Sequence, residues 1–192
     1  AKVLCATTPL IFKLIGICHR ELGHLDLAHE MFATALRMGA RDEDTFLYLS
    51  EVNFFLNSMA EAEQNLSHML KEFPDHTRAL VELANVRYQL GKDYLDLLDR
   101  AVERDPEAAR QTILQTFVFK KVDQPAKRLI NTAEASRLLD LPEKTLIQLA
   151  HRHRLPTRSH QDKLMLDESE IKAWAFVYRR FNLLQDEVDR IA

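Results

Sequence analysis

The chain repeats itself at a fixed interval. Phe12-x2-Ile15-Gly16-x2-His19, followed by Ala28-x3-Phe32-x2-Ala35, aligns with Phe46-x2-Leu49-Ser50-x2-Asn53, followed by Ala62-x3-Leu66-x2-Met69 and ending at Pro74. The offset is 34 residues at every position. A third copy runs Leu80-x2-Leu83-Ala84 and Leu98-x2-Ala101 to Pro106. It is two residues short at Gly91-Lys92-Asp93 and carries Tyr94 where a small Ala is due, which predicts a shorter or shifted second helix there. A period of this size means stacked units, each burying its apolar face only against its neighbours. Four glycines and six prolines in 192 residues are too few for the tight turns of a sandwich or barrel, so the fold expected is mainly α.

Local chemistry agrees. Thr8-Pro9 reads as an N-cap and first helical position, since proline lacks only a donor that is unsatisfied there anyway. Gly16, Ser50 and Ala84 are small where the two helices of each copy must approach closely. Residues 107–121, with Ala108, Ile113, Leu114, Phe117 and Val118, read as a final helix that caps the stack.

The period and the order of landmarks resemble the tetratricopeptide repeat, a helix–turn–helix unit, over residues 1–122. The resemblance implies a superhelix of helical hairpins whose concave wall, built by the first helices, holds a protein or peptide. By helical spacing the groove candidates are Lys13, Ile17 and Arg20, then Leu47, Glu51 and Phe54, then Val81, Asn85 and Tyr88. Ordinary packing is the competing role for Ile17, Leu47, Phe54 and Val81. Ile17 stands where some relatives carry the Asn that helps clamp a C-terminal carboxylate, so such tails are not the expected ligand. Ala1–Leu4 fit the end of a helix from a further upstream copy.

The formal net charge of −3 conceals a division. Residues 1–126 carry a net −5, residues 127–176 a net +2, and residues 177–192 none. An acidic body followed by a mildly basic segment points to two units with different partners. The break falls at Asp123-Gln124-Pro125-Ala126-Lys127, read as a linker over 123–128.

After the linker, Thr132 reads as the cap of a helix with Ala135, Leu138 and Leu139 on its face. Asp140-Leu141-Pro142 forms a tight turn, and a second helix from Glu143 buries Leu146, Leu149 and Ala150. Leu155-Pro156 ends it, and Leu164-Met165-Leu166 reads as a strand returning from a hairpin. Asp167 caps a third helix, with Glu170 three residues on in a capping-box arrangement, leading to Ile171 and Trp174. This order is similar to the winged helix-turn-helix of the MerR and excisionase families, over residues 129–175.

That resemblance implies that the second helix enters the major groove of duplex DNA and that the wing touches the backbone. The base-facing candidates it assigns are Lys144, Thr145, Gln148 and Arg152; the phosphate candidates on the wing are Arg158, His160 and Lys163. Gln pairs with adenine and Arg with guanine in bidentate fashion, while Lys and Arg neutralise phosphate. Glu143 at the helix start, Ile147 in mid-helix and His153 before the wing depart from the pattern and keep open a helix-turn-helix that binds protein instead.

From Trp174 the apolar residues Val177, Phe181, Leu184, Val188 and Ile191 follow at spacings alternating between three and four, a heptad seam. Residues 176–192 are therefore expected to form an amphipathic helix, either joining two copies into a homodimer or lying on the rest of the chain.

No constellation for catalysis stands out. Cys18, His19, His24 and His29 are not expected to converge on a metal, because His19 sits at a packing position and His24 in a turn. His151 and His153 point to different sides of their helix. There is no glycine-rich phosphate loop and no nucleophile–base arrangement, so neither an enzyme nor a cofactor is expected. Cys5 and Cys18 lack metal-ligand spacing, which suits a reducing cytoplasm. No apolar run reaches the roughly 20 residues of a membrane span. Two functions remain. One is a DNA-binding transcription regulator or adaptor whose repeats dock a protein. The other is a protein–protein adaptor or secretion-type chaperone in which both halves bind protein.

Overall fold

The computed structural model describes residues 8–119, 128–152, 155–160 and 163–183. Among them are ten helices and one small antiparallel sheet, so the chain is mainly α. It divides into two compact units, Ala1–Arg104 and Asp105–Ala192. No helix among the described residues is long and apolar enough to cross a membrane.

The first unit is three antiparallel helical hairpins in succession. They are α1 (Pro9–Glu21) with α2 (Leu25–Arg37), α3 (Glu43–Phe55) with α4 (Met59–Glu72), and α5 (Thr77–Leu90) with α6 (Leu95–Arg104). The first helices begin at Pro9, Glu43 and Thr77, in step with the 34-residue period. Each ends in a left-handed residue at the same interval: Gly23 (φ 74°), Asn57 (φ 60°) and Gly91 (φ 71°). Glycine and asparagine are the residues that enter this region at least cost. The helix starts are capped differently. Thr8 takes the N-cap position of α1 but its side chain makes no capping hydrogen bond, whereas the Asp42 carboxylate accepts from the Thr45 amide and His76 Nδ1 from the Ala79 amide. The shortened third copy has the expected outcome: α6 starts two residues late and has ten residues.

Packing explains the small residues. Gly16 is buried, and a Cβ placed on it would lie 2.8 Å from the Phe32 ring. Ser50 and Ala84 are likewise buried, and the later copies pair them in sequence with Leu66 and Leu98 in place of Phe32. The smallest residue thus stands opposite the largest. Hairpin joins hairpin through Ala28 and Phe32 of α2 against Leu49 and Val52 of α3, with Tyr48 stacked on Phe32 at 5.5 Å.

In the second unit α7 (Pro106–Thr116) precedes β1 (Leu129–Ile130), α8 (Thr132–Leu139), α9 (Glu143–His151), β2 (Arg158–His160), β3 (Lys163–Asp167) and α10 (Glu168–Arg180). The dividing point after Arg104 places α7 in this unit, where sequence had it closing the hairpins up to residue 122. Pro106 opens α7 rather than closing the third copy, because Asp105 caps it by accepting from the Ala108 amide. Behind α7, Phe119 packs against Phe117 and the Tyr178 ring of α10.

The sheet order is β1-β3-β2, with Ile130 opposite Leu166 and Arg158 opposite Met165. The two-residue β1 went unread in the sequence. The cap of α8 is Asn131, one residue before the expected Thr132: its side chain accepts from the Glu134 amide, and Glu134 returns to the Asn131 amide in a capping box. Ala135 and Leu139 are buried, but Leu138 faces outward. Leu146, Leu149, Leu166, Ile171 and Trp174 complete the core.

The seam expected to join two copies is used internally as far as it is described. Val177 and Phe181 are buried beside Trp174 and Tyr178, and α10 stops at Arg180, with Asn182 left-handed at φ 56°. A single helix thus runs across the expected boundary at 175/176. Leu184, Val188 and Ile191 lie outside the described residues.

The close approach at Gly16 is open to test. Gly16→Val forces a branched side chain into the Phe32 ring and costs about 1–3 kcal/mol, read from urea unfolding. Because the clash is pairwise, Gly16→Ser with Phe32→Leu loses less than the two single changes summed, the coupling expected of residues in contact.

Candidate functional site

The α8–α9 corner is closely stapled. Asp140 is left-handed at φ 53°, the Leu141 amide donates to the Ser136 carbonyl, and Ser136 Oγ donates to the Leu141 carbonyl at 2.6 Å. Pro142 then leads into α9. Leu146, Leu149 and Ala150 anchor α9 from below, which leaves Lys144, Ile147, His151 and Arg152 exposed and Thr145 and Gln148 half-buried. Lys144, Thr145, Gln148 and Arg152, separated in the sequence reading from their buried neighbours, are thus brought onto one accessible side of the helix. Ile147 and His151 share that side and were not singled out for it; their i, i+3 and i+4 spacing from Lys144 and Gln148 is the signal that finds them.

Glu143 does not act as a loose charge at the start of α9. Its carboxylate accepts a short hydrogen bond from the Thr132 hydroxyl, tying the N-termini of α8 and α9 together. The hairpin β2–β3 follows, with His160 and Lys163 as register partners beside its tip. Arg158 is not the solvent-facing phosphate ligand expected of the wing. Its guanidinium pairs with the buried Glu170 carboxylate of α10, while Asp167 caps that helix by accepting from the Ser169 and Glu170 amides. His153 lies outside the described residues.

The groove candidates divide. Leu47, Val81, Asn85 and Tyr88 are buried and form part of the core instead of a ligand wall. Their spacing is that of a helix face, but on α3 and α5 more than one face is covered, so periodicity alone does not select the open one. Ile17 and Phe54 are half-buried. The charged candidates are engaged in ion pairs between the first two hairpins. Lys13 of α1 pairs with Asp42 and Asp44, and Arg20 Nη1 donates to Glu51 of α3 at 2.9 Å while its guanidinium lies 4.5 Å over the Tyr48 ring. Against the desolvation that would lower it, the two carboxylates hold the Lys13 ammonium above its ordinary value.

Farther along, on α5, stands a pair the sequence reading did not select. Glu82 accepts from Arg78 Nε at 2.6 Å. Burial pushes the Glu82 carboxyl up to about 7, with Arg78 pulling it back and the Glu51 charge adding to the rise. Arg20, Glu51, Arg78 and Glu82 therefore form a charged ladder over three successive first helices.

Of the four residues Cys18, His19, His24 and His29, two are in contact. His19 and His24 do meet, Nδ1 to Nδ1 at 3.4 Å, because the left-handed turn at Gly23 folds the start of α2 back onto the end of α1. Among the described residues no group of three or more His, Cys, Asp or Glu side chains is placed to hold a metal ion.

Two outcomes follow. Arg158→Met leaves the buried Glu170 carboxylate without its partner and costs about 3 kcal/mol in chemical denaturation, whereas Lys144→Ala leaves stability unchanged within about 0.5 kcal/mol. For Glu82 the folded value of about 7 lies above the ordinary 4.5, so the folded state holds the proton more tightly and stability falls as pH rises from 4.5 to 7. Glu82→Gln removes that loss: the melting temperature of the variant relative to the parent rises between pH 5 and pH 8.

No protein-family model matches the chain, and no curated protein is similar enough to it to count as a match.

Proposed function

We propose that the chain is a non-enzymatic DNA-binding regulator or adaptor. On this reading the second unit is a winged helix-turn-helix of the MerR and excisionase kind, α9 its major-groove helix and β2–β3 its wing. The helical hairpins are a tetratricopeptide array that docks a protein. The observation that carries the reading is the exposed side of α9, where Lys144, Gln148, His151 and Arg152 stand over a core that holds the helix rigidly. A helix offering donors of these kinds along one side, preceded by a tight turn and followed by a hairpin, has the parts that base-edge recognition needs. A cytoplasmic site of action goes with it.

The second reading, an adaptor or secretion-type chaperone whose helix-turn-helix binds protein, draws on two features. Ile147 is exposed in the middle of the polar side of α9, and Arg158 is spent on Glu170.

Fluorescence titration with a random duplex pool separates the two. DNA binding predicts that log affinity falls linearly with log salt, and that Lys144→Ala and Arg152→Ala each reduce the slope by about one and relax sequence preference. Absence of binding to any duplex at 50 mM salt sinks the DNA reading and leaves the adaptor.

A further inference from the structure

The first helices use one set of positions to pack on the hairpin before them. On α3 these are Tyr48, Leu49, Val52 and Leu56, which close over Ala28 and Phe32 of α2. Leu49 is 4% exposed and Val52 is fully buried. One period later on α5, the two central positions, Leu83 and Val86, are each 2% exposed, while the outer two are Glu82 and Leu90, the latter 37% exposed. One period earlier, the same positions on α1 are Leu14, Ile15, Cys18 and Leu22. All four are open: Leu14 is 53% exposed, Ile15 38% and Leu22 68%, and Cys18 is exposed as well. Leu10 and Ile11 extend the strip by a turn. The strip is therefore half of an interface whose other half is already visible elsewhere in the same unit.

We propose that this face of α1 is the acceptor for the second helix of a further helical hairpin, an amphipathic helix with the small-x3-aromatic stripe that Ala28 and Phe32 form on α2, packed as α2 packs on α3. Charge refines the occupant. The α1–α3 junction is pinned by Lys13 to Asp42 and Asp44, and by Arg20 to Glu51. The positions on α1 that match those acids are Thr8, Leu10 and Ile17, none of which carries a charge. A hairpin fitted to α1 therefore has uncharged residues where α1 itself has Lys13 and Arg20, because a cation there would be desolvated without a partner. This surface is separate from α9, and the proposal stands apart from the DNA reading.

Cys18 in the middle of the strip reports its coverage. In a Cys5→Ser background, its reaction with a thiol reagent is followed for the chain as it stands and for a chain extended ahead of Thr8 by one copy of residues 8–41. The added copy carries Leu at its Lys13 and Arg20 positions and Ser at its Cys18 position. The expected result is rapid labelling of the unextended chain at every concentration, and labelling slowed by about tenfold or more in the extended one. Replacing the added copy's Phe32 equivalent by Asp restores the rapid rate, and restoring Lys and Arg at the two Leu positions weakens protection. Unchanged labelling of the extended chain overturns the proposal, whether or not the added residues gain helical circular dichroism. So does slow labelling of the unextended chain: if concentration-independent, the chain covers its own face, and if it sets in with concentration, a second copy does.

Discussion

Phe32 is the side chain on which the hairpin array turns. Its ring leaves no room for a Cβ on Gly16, it stacks on Tyr48, and with Ala28 it receives Leu49 and Val52. One residue therefore sets both the spacing within the first hairpin and the contact with the second. A side chain that is completely buried between three helices has no room to adjust, so a change on any one of them is transmitted to the others. That is why Gly, Ser and Ala recur at the position facing it and its counterparts, and why the period is kept to the residue from Pro9 to Thr77.

The second unit depends on a polar interaction of the same economy. Arg158 sits on β2 and Glu170 in the first turn of α10, so their ion pair fixes the strand hairpin to the helix that follows it. Arg128 and Lys172 both engage Glu168, while Arg179 donates to the Leu139 carbonyl at the end of α8. These pairs hold α8, α10 and the sheet as a frame, and α9 lies on that frame through Leu146 and Leu149.

The hairpins were legible in the sequence because their constraint is steric and recurs: small residues, left-handed turns and helix starts all fall on one interval. The α8–α9 corner was legible for a related reason, since Asp140-Leu141-Pro142 admits few conformations. What escaped was whatever depends on neighbours distant in the chain. Spacing places Val81 and Tyr88 on a helix face but does not say that the face is covered, and the heptad of Val177 and Phe181 fits a dimer seam and an internal core equally well. Asn131 displaced Thr132 as cap because both side chains can accept from an amide, and the reply from Glu134 decides between them. The Arg158–Glu170 pair leaves no periodic trace at all, so a residue that looked available for phosphate proved to be committed. On α9 the candidates Lys144 and Gln148 share an accessible side with His151, which was weighed only as a partner for His153, and with Ile147, which was noted as a departure from the family pattern.

The small positive charge of the segment from 127 to 176 also takes on a different meaning. Net charge governs long-range attraction, but the field at the surface of α9 is set by the groups within about one Debye length, roughly 8 Å at physiological salt. Within this unit Glu134 is held by the Asn131 amide, Glu143 by Thr132, Glu168 by Arg128 and Lys172, and Glu170 by Arg158. Each of these four carboxylates is tied to a donor, and Glu170 is buried as well. Four of the seven acids of this segment are thus part of the framework of the unit, while the accessible side of α9 carries Lys144, His151 and Arg152 with Glu143 at its start. A balance near zero therefore conceals an uneven distribution, in which Glu168 and Glu170 are matched by cations and Glu134 and Glu143 by neutral donors.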